Sequence, residues 1–157
     1  MRVLTTILLA ASLVLPTTVI AQSAADTELE ILLQKVKADK KLLVANNMDL
    51  SDAEGRQFWP LYDAYQKDLE RINHRLGNTI KDYAEAFNKG PLPDGQAKRL
   101  IKEVLEIEDA EVKLKKSYAD KIRKVLPAAK TARYIQIENK IRALLKAELA
   151  KQIPLAY

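Results

Sequence analysis

The chain has 157 residues, with 26 Lys and Arg against 21 Asp and Glu, one His, no Cys, 4 Gly and 6 Pro, and a formal net charge of +5. Its length suits one domain with a real core, and four glycines are too few for Gly-rich phosphate loops or a many-turned β-barrel. The absence of Cys excludes disulfides, thiolate zinc sites, iron–sulfur clusters and a lipoprotein anchor, and the single His argues against histidine-clustered metal or nucleophile chemistry.

Met1 and Arg2 form a short positive start, Val3 to Leu15 is mostly apolar, and Val19-Ile20-Ala21 places a small residue before Gln22. This pattern predicts an export signal over residues 1–21, cleaved after Ala21. Thr5, Thr6, Ser12, Pro16, Thr17 and Thr18 interrupt the stretch too often for a lasting membrane anchor. No later apolar run reaches spanning length, so residues 22–157 are expected to be one exported domain with no membrane span, and a bacterial periplasm is the expected location.

Residues 22–157 carry the helical period almost throughout and nowhere a convincing alternation of period two. Thr27-Glu28-Leu29-Glu30 reads as a capping box opening a first helix, with Leu29, Leu32, Leu33, Val36 and Leu43 on one face and Asn46-Asn47 ending it. Ser51-Asp52-Ala53-Glu54 is a second capping box. From it Phe58, Tyr62, Tyr65, Leu69, Ile72, Leu76, Ile80, Tyr83 and Phe87 recur every three or four residues, the seam of a long helix packed lengthwise. Pro60 should kink that helix or split off a short opening turn.

Gly90-Pro91-Leu92-Pro93-Asp94-Gly95 is the only dense turn cluster, and its shortness makes its flanking helices antiparallel neighbours. A third helix is expected from about Gln96 to Leu126. It buries Leu100, Val104, Ile107, Leu114, Tyr118 and Val125, with Ile101, Leu105, Val112 and Ile122 widening the face. Pro127 opens a fourth, carrying Tyr134, Ile137, Ile141 and Leu144 or Leu145 and ending before Pro154. The expected fold is all-α: about four helices, two of them long, in kinked antiparallel hairpins without a sheet.

Little in this pattern points to catalysis. His74 falls between seam positions and should face solvent. The carboxylates Glu103, Glu106, Glu108, Asp109 and Glu111 are dense, but Asp109 and Glu111 lie one turn before Lys113 and Lys115, the spacing of ordinary helix ion pairs. Phe58, Tyr62 and Tyr65 belong to the core seam, whereas Trp59 lies off it and is the aromatic expected to line a groove or an interface. No Ser–His–Asp set, phosphate loop or metalloprotease motif can be written. No enzyme, metal or cofactor is expected.

Leu50-Ser51-Asp52-Ala53-Glu54 opens one long helix and Leu126-Pro127-Ala128-Ala129-Lys130 opens the last. This arrangement resembles the periplasmic Spy/CpxP superfamily, whose members carry Leu-Thr-x-x-Gln motifs at two helix starts. Ser51 stands for Thr and Glu54 for Gln in the first copy. The second departs further, with Pro127 and Lys130 in those places. The resemblance implies an all-helical domain, commonly an antiparallel cradle-shaped dimer, acting as an ATP-independent chaperone or restraining an envelope-stress sensor. Leu50, Ser51, Glu54, Leu126 and Pro127 would then be helix-start residues only. The family's metal-binding members use His-rich sequence that this chain lacks.

Two functions follow as expectations. The first is a periplasmic holdase-like chaperone of envelope stress, binding unfolded or partly folded proteins on a basic, aromatic concave surface. Its candidate contacts are Trp59, Arg71, Arg75, Lys121, Lys124, Arg133 and Arg142. The second is a non-catalytic interaction or regulatory module for one folded envelope partner such as a sensor-kinase domain. A homodimer is expected in either case, and nucleic acid is disfavoured because no binding motif accompanies the basic residues. Without Arg2 the charge is +4, unevenly spread: residues 22–112 hold 13 basic and 18 acidic residues, a net of −5, and residues 113–157 hold 12 and 3, a net of +9. That polarity could drive self-association or leave a basic surface free.

Overall fold

The computed structural model describes residues 39–156. The predicted export signal and the first capping box lie outside those residues. The chain divides into two compact units, Met1–Leu43 and Val44–Tyr157. Of the first unit only residues 39–43 are described, and they are helical. The second unit carries the core and the three long helices.

The described residues are helical with no strand, in the order α1 (39–48), α2 (Asp52–Phe87), α3 (Asp94–Ile122) and α4 (Ala128–Gln152). The all-α expectation holds, with differences at the boundaries. α1 runs through Asn46 and Asn47, because Met48 is fully buried and rewards another turn; the break comes at Asp49, whose φ of 47° is the left-handed conformation a short polar side chain tolerates. The capping box at Ser51 forms as its spacing predicts. Ser51 Oγ accepts from the Glu54 N–H at 3.3 Å, and Glu54 Oε2 accepts from the Ser51 N–H at 2.8 Å. Pro60 does not split α2, which is helical over all 36 residues. Its ring stands on an exposed face, while its missing N–H leaves one rung of the ladder unmade.

α3 begins at Asp94, two residues before the expected start, and takes Gly95 into its first turn. The reversal is made at Gly90, whose φ of +123° suits glycine alone. α3 ends at Ile122 rather than Leu126, because Pro127 pushes the residue before it out of helical geometry. Residues 123–126 form a turn in which the Leu126 N–H donates to the Ile122 carbonyl at 2.9 Å. Pro127 is the N-cap of α4 instead of its first helical residue.

The directions of the helices follow from the residues that touch. Between α2 and α3, Tyr65 meets Tyr118 and Arg75 meets Glu103, so numbers rise on one helix as they fall on the other. Between α3 and α4, Lys115 meets Asn139 and Glu111 meets Arg142 and Lys146. Both pairs are antiparallel hairpins, so α2 and α4 run parallel, as Glu54–Lys130, Gln66–Glu138 and Asn73–Arg142 confirm by their near-constant offset.

The core lies toward one end of this three-helix arrangement. Val44 and Met48 of α1 join Phe58, Tyr62, Tyr65 and Leu69 of α2, Tyr118 and Ile122 of α3, Leu126, and Tyr134 of α4. The long seam predicted on α2 is therefore buried only over its first half. Ile72, Leu76, Ile80, Tyr83 and Phe87 are half-buried, while Thr79 and Ala86 are buried in their stretch.

Candidate binding surface

Phe58, Tyr62, Tyr65, Tyr118 and Tyr134 are core. Tyr134 stands edge-on to Phe58 at 5.1 Å and within 6.2 Å of both Tyr62 and Tyr65, and Tyr65 stands edge-on to Tyr118 at 5.3 Å. Such edge-to-face contacts satisfy the ring quadrupoles. Burial pushes the hydroxyls of Tyr62, Tyr65 and Tyr134 well above the ordinary phenol value, so they stay protonated. Tyr118 rises to about 12 for the same reason, helped by its hydrogen bond to Asp68 Oδ2 at 2.6 Å. A buried polar hub completes the cluster: Gln66 Nε2 donates to Glu138 Oε1 at 3.0 Å, and Glu138 is 3% exposed.

The seven candidate contacts fall into four groups. Trp59 is half-buried at the core margin, edge-on to Phe58 at 5.0 Å and Tyr62 at 5.4 Å. It does not stand with Phe58, Tyr62, Tyr65, Tyr118 and Tyr134 on an open concavity, because those are inside. Arg71 and Arg75 lie along the α2–α3 seam in ion pairs, Arg71 with Asp68 and Arg75 with Glu103 at 2.8 Å and Glu106 at 3.6 Å. Arg142 is turned inward, its side chain 14% exposed against Glu111 at 11%, with a further bond to Asn73 Oδ1 at 2.7 Å. It fastens α4 to α2 and α3 and is unavailable to a client. Burial lowers its affinity for the proton.

Lys121, Lys124 and Arg133 are exposed and share one end of the unit, because the α3–α4 turn folds their segments together. Lys121 Nζ sits 4.2 Å from the centre of the Tyr118 ring, and Arg133 Nη1 donates to the Asn47 carbonyl at 3.5 Å. Of the dense carboxylates, Asp109 pairs with Lys113 at 2.5 Å as its spacing predicts. Glu111 does not pair with Lys115, which donates instead to Asn139 Oδ1 at 2.6 Å. Among the described residues no group of three or more His, Asp or Glu side chains could hold a metal ion. His74 is exposed, 3.9 Å from Glu70.

The two helix starts touch. Lys130 Nζ donates to Glu54 Oε2 at 2.7 Å and to the Asp49 carbonyl at 2.6 Å, fastening the first turn of α4 to the cap of α2. A lysine in a first helical turn opposes the helix dipole; here the Glu54 carboxylate offsets that cost. The Lys130 bond, followed by the Ser51 N–H, holds the Glu54 carboxyl below its ordinary range. Leu50 is packed against the core and Leu126 is 5% exposed, so both leucines before the helix starts anchor them from inside.

The helical period alone did not single out the residues that stand out on the surface. Ile101 and Leu105 on α3 are each 60% exposed and Val112 is 49% exposed, although the period places all three on the flank of the buried face. On α4, Leu144 is 73% and Leu145 45% exposed. Leu144 lies two residues from both Arg142 and Lys146, the positions that meet α3, and so points to the far side of the helix. The signal lay in the small number of helices: three cannot cover both shoulders of α3 and all of α4.

No protein-family model, no curated protein and no solved structure matches the chain.

Proposed function

We propose that this protein is a non-catalytic holdase-like binding protein of the bacterial envelope. It takes unfolded or partly folded polypeptides on exposed aliphatic patches of α3 and α4 with charged surroundings. One observation carries the reading: large aliphatic side chains, Leu144 and Leu145 on α4 with Ile101 and Leu105 on α3, remain exposed although the unit has a well-formed core. Aliphatic surface bordered by mobile charges binds by non-directional burial, which suits clients of no fixed sequence. Lys140, Lys146 and Lys151 on α4 would draw clients at long range. This differs from the surface expected on sequence, since Trp59 is half-buried and Arg142 is internal. The envelope location rests on residues 1–21, and the Spy/CpxP-like reading rests on the helix-start residues Leu50, Ser51 and Glu54.

The test is light scattering of a chemically denatured client diluted into stoichiometric protein. Wild type should suppress aggregation, and Leu144→Ser with Leu145→Ser should lose most of that suppression while keeping its helical circular dichroism. Equal suppression by the variant would overturn the assignment of this surface. No suppression by wild type at low salt, with one saturating partner recovered from periplasmic extract, would favour the regulatory-module reading. Sedimentation at micromolar concentration tests the proposed homodimer.

A further inference from the structure

The charge asymmetry of the sequence becomes a directional one in the fold. Residues 113–124 end α3 and residues 128–140 begin α4, and the tight turn between them lays these two basic stretches side by side. The resulting lobe exposes Lys113, Lys116, Lys121, Arg123, Lys124, Arg133 and Lys140. Its acidic side chains are Asp120, which is paired with Arg123 at 3.3 Å, and Glu138, which is buried under the tyrosines. The exposed acids at this end of the unit, Asp49, Asp52 and Asp63, belong to the α1–α2 side. Lys130, the cation nearest that side, is already engaged by Glu54. The field therefore runs across the helices, from α2 to the α3–α4 side.

We propose that the α3–α4 lobe docks on an anionic phospholipid surface. Lysines outnumber arginines, and they stand round two helices instead of lining a groove. Lys116, Lys124 and Lys140 form no ion pair among the described residues, so their charge is available to headgroups. A bilayer asks for charge density without register, since its phosphates are laterally mobile. Single-stranded nucleic acid asks for aromatic faces on which bases stack, and the lobe's tyrosines, Tyr118 and Tyr134, are 5% and 1% exposed. Val112 is exposed at the lobe's border one turn before Lys116, whose long stem can reach past it to the phosphates. No described helix is long and apolar enough to cross the bilayer, so the contact is peripheral. Lys140 lies one turn before Leu144 on the same outward side of α4, so the lipid contact borders the client surface; vesicle binding by Leu144→Ser/Leu145→Ser and client suppression by the lysine variant below read the two apart.

The experiment is co-sedimentation of the intact protein with vesicles of phosphatidylcholine alone and with about 30% phosphatidylglycerol, at low and raised salt. Binding is expected only to the anionic vesicles, lost at about 0.5 M salt. It should weaken at least about tenfold in Lys116→Glu/Lys124→Glu/Lys140→Glu, whose substitutions break no ion pair among the described residues. Equal binding to neutral vesicles, no binding to anionic ones, or binding unchanged by the triple variant would overturn the proposal. So would tighter binding to duplex DNA, which would assign the lobe to a polynucleotide, or salt-reversible self-association that blocks vesicle binding, which would assign it to a second copy of the chain.

Discussion

Single side chains at two junctions hold the helices in register. Glu54 serves the cap of its own helix and the first turn of α4 at once, through the Ser51 N–H and Lys130. Its carboxyl is held below the ordinary range, so the ionised form favours the folded state. That stability is present above the unfolded carboxylate range and is lost as pH falls on through the lowered folded value. Urea midpoints followed downward in pH should therefore drop more for wild type than for Glu54→Gln. Ser51→Ala, which removes only the hydroxyl cap, should cost about 1 kcal/mol in the same assay. Arg142 and Glu111 are both mostly buried, at 14% and 11%. Arg142→Leu leaves the mostly buried Glu111 carboxylate with Lys146 alone, at 3.1 Å, and should destabilise by about 1 to 3 kcal/mol, whereas adding Glu111→Leu should recover part of the loss. The capping box was legible because its partners are three residues apart. The Arg142–Glu111 pair was not, because about 30 residues separate them in the chain and Lys115, one turn away, offered a plausible local partner.

Among the elements, α2 carries the largest share of the core and the clearest unmade rung. Pro60 is exposed and its missing N–H cannot reach the carbonyl of Arg56. Pro60→Ala should raise stability by about 1 to 3 kcal/mol, read from the urea midpoint at unchanged slope, since no packing is lost. Phe58, fully buried among Trp59, Tyr62 and Tyr134, should behave oppositely, with Phe58→Ala costing about 3 to 5 kcal/mol. The period of three and four located α2, α3 and α4 and most of the true core, including Tyr62, Tyr65, Leu69, Ile107, Tyr118 and Tyr134. It overstated the buried face of α3 because it reports which residues share a side and is silent on how much of that side a neighbour covers. Ile101, Leu105 and Val112 lie on the shoulder that α2 and α4 leave open.

Across the whole molecule, burial and charge are distributed unequally. The core gathers at the end where α1, the α3–α4 turn and the first half of α2 converge, with five of its members tyrosine or phenylalanine. Those tyrosines resist ionisation, so their protonated form stabilises the fold up to the ordinary phenol range and that contribution is lost as pH rises above it. Tyrosinate absorbance should accordingly rise together with loss of helical signal on alkaline titration, and an early, non-cooperative ionisation of most tyrosines would count against the buried cluster. The same end carries the basic lobe on its α3–α4 side, where the proposed lipid contact would border the aliphatic surface of α4.

The sequence by itself determined the elements and the polarity. Local spacing sets helix starts and amphipathic faces within a few residues, and the charge of each segment is independent of fold. Only the tertiary structure decided which faces find partners. Trp59 and Arg142 became half-buried and internal, while Leu144 and Ile101 stayed outside. The reason is physical: burial depends on contacts between residues far apart in the chain, and three helices of unequal packing leave surfaces that no local period records.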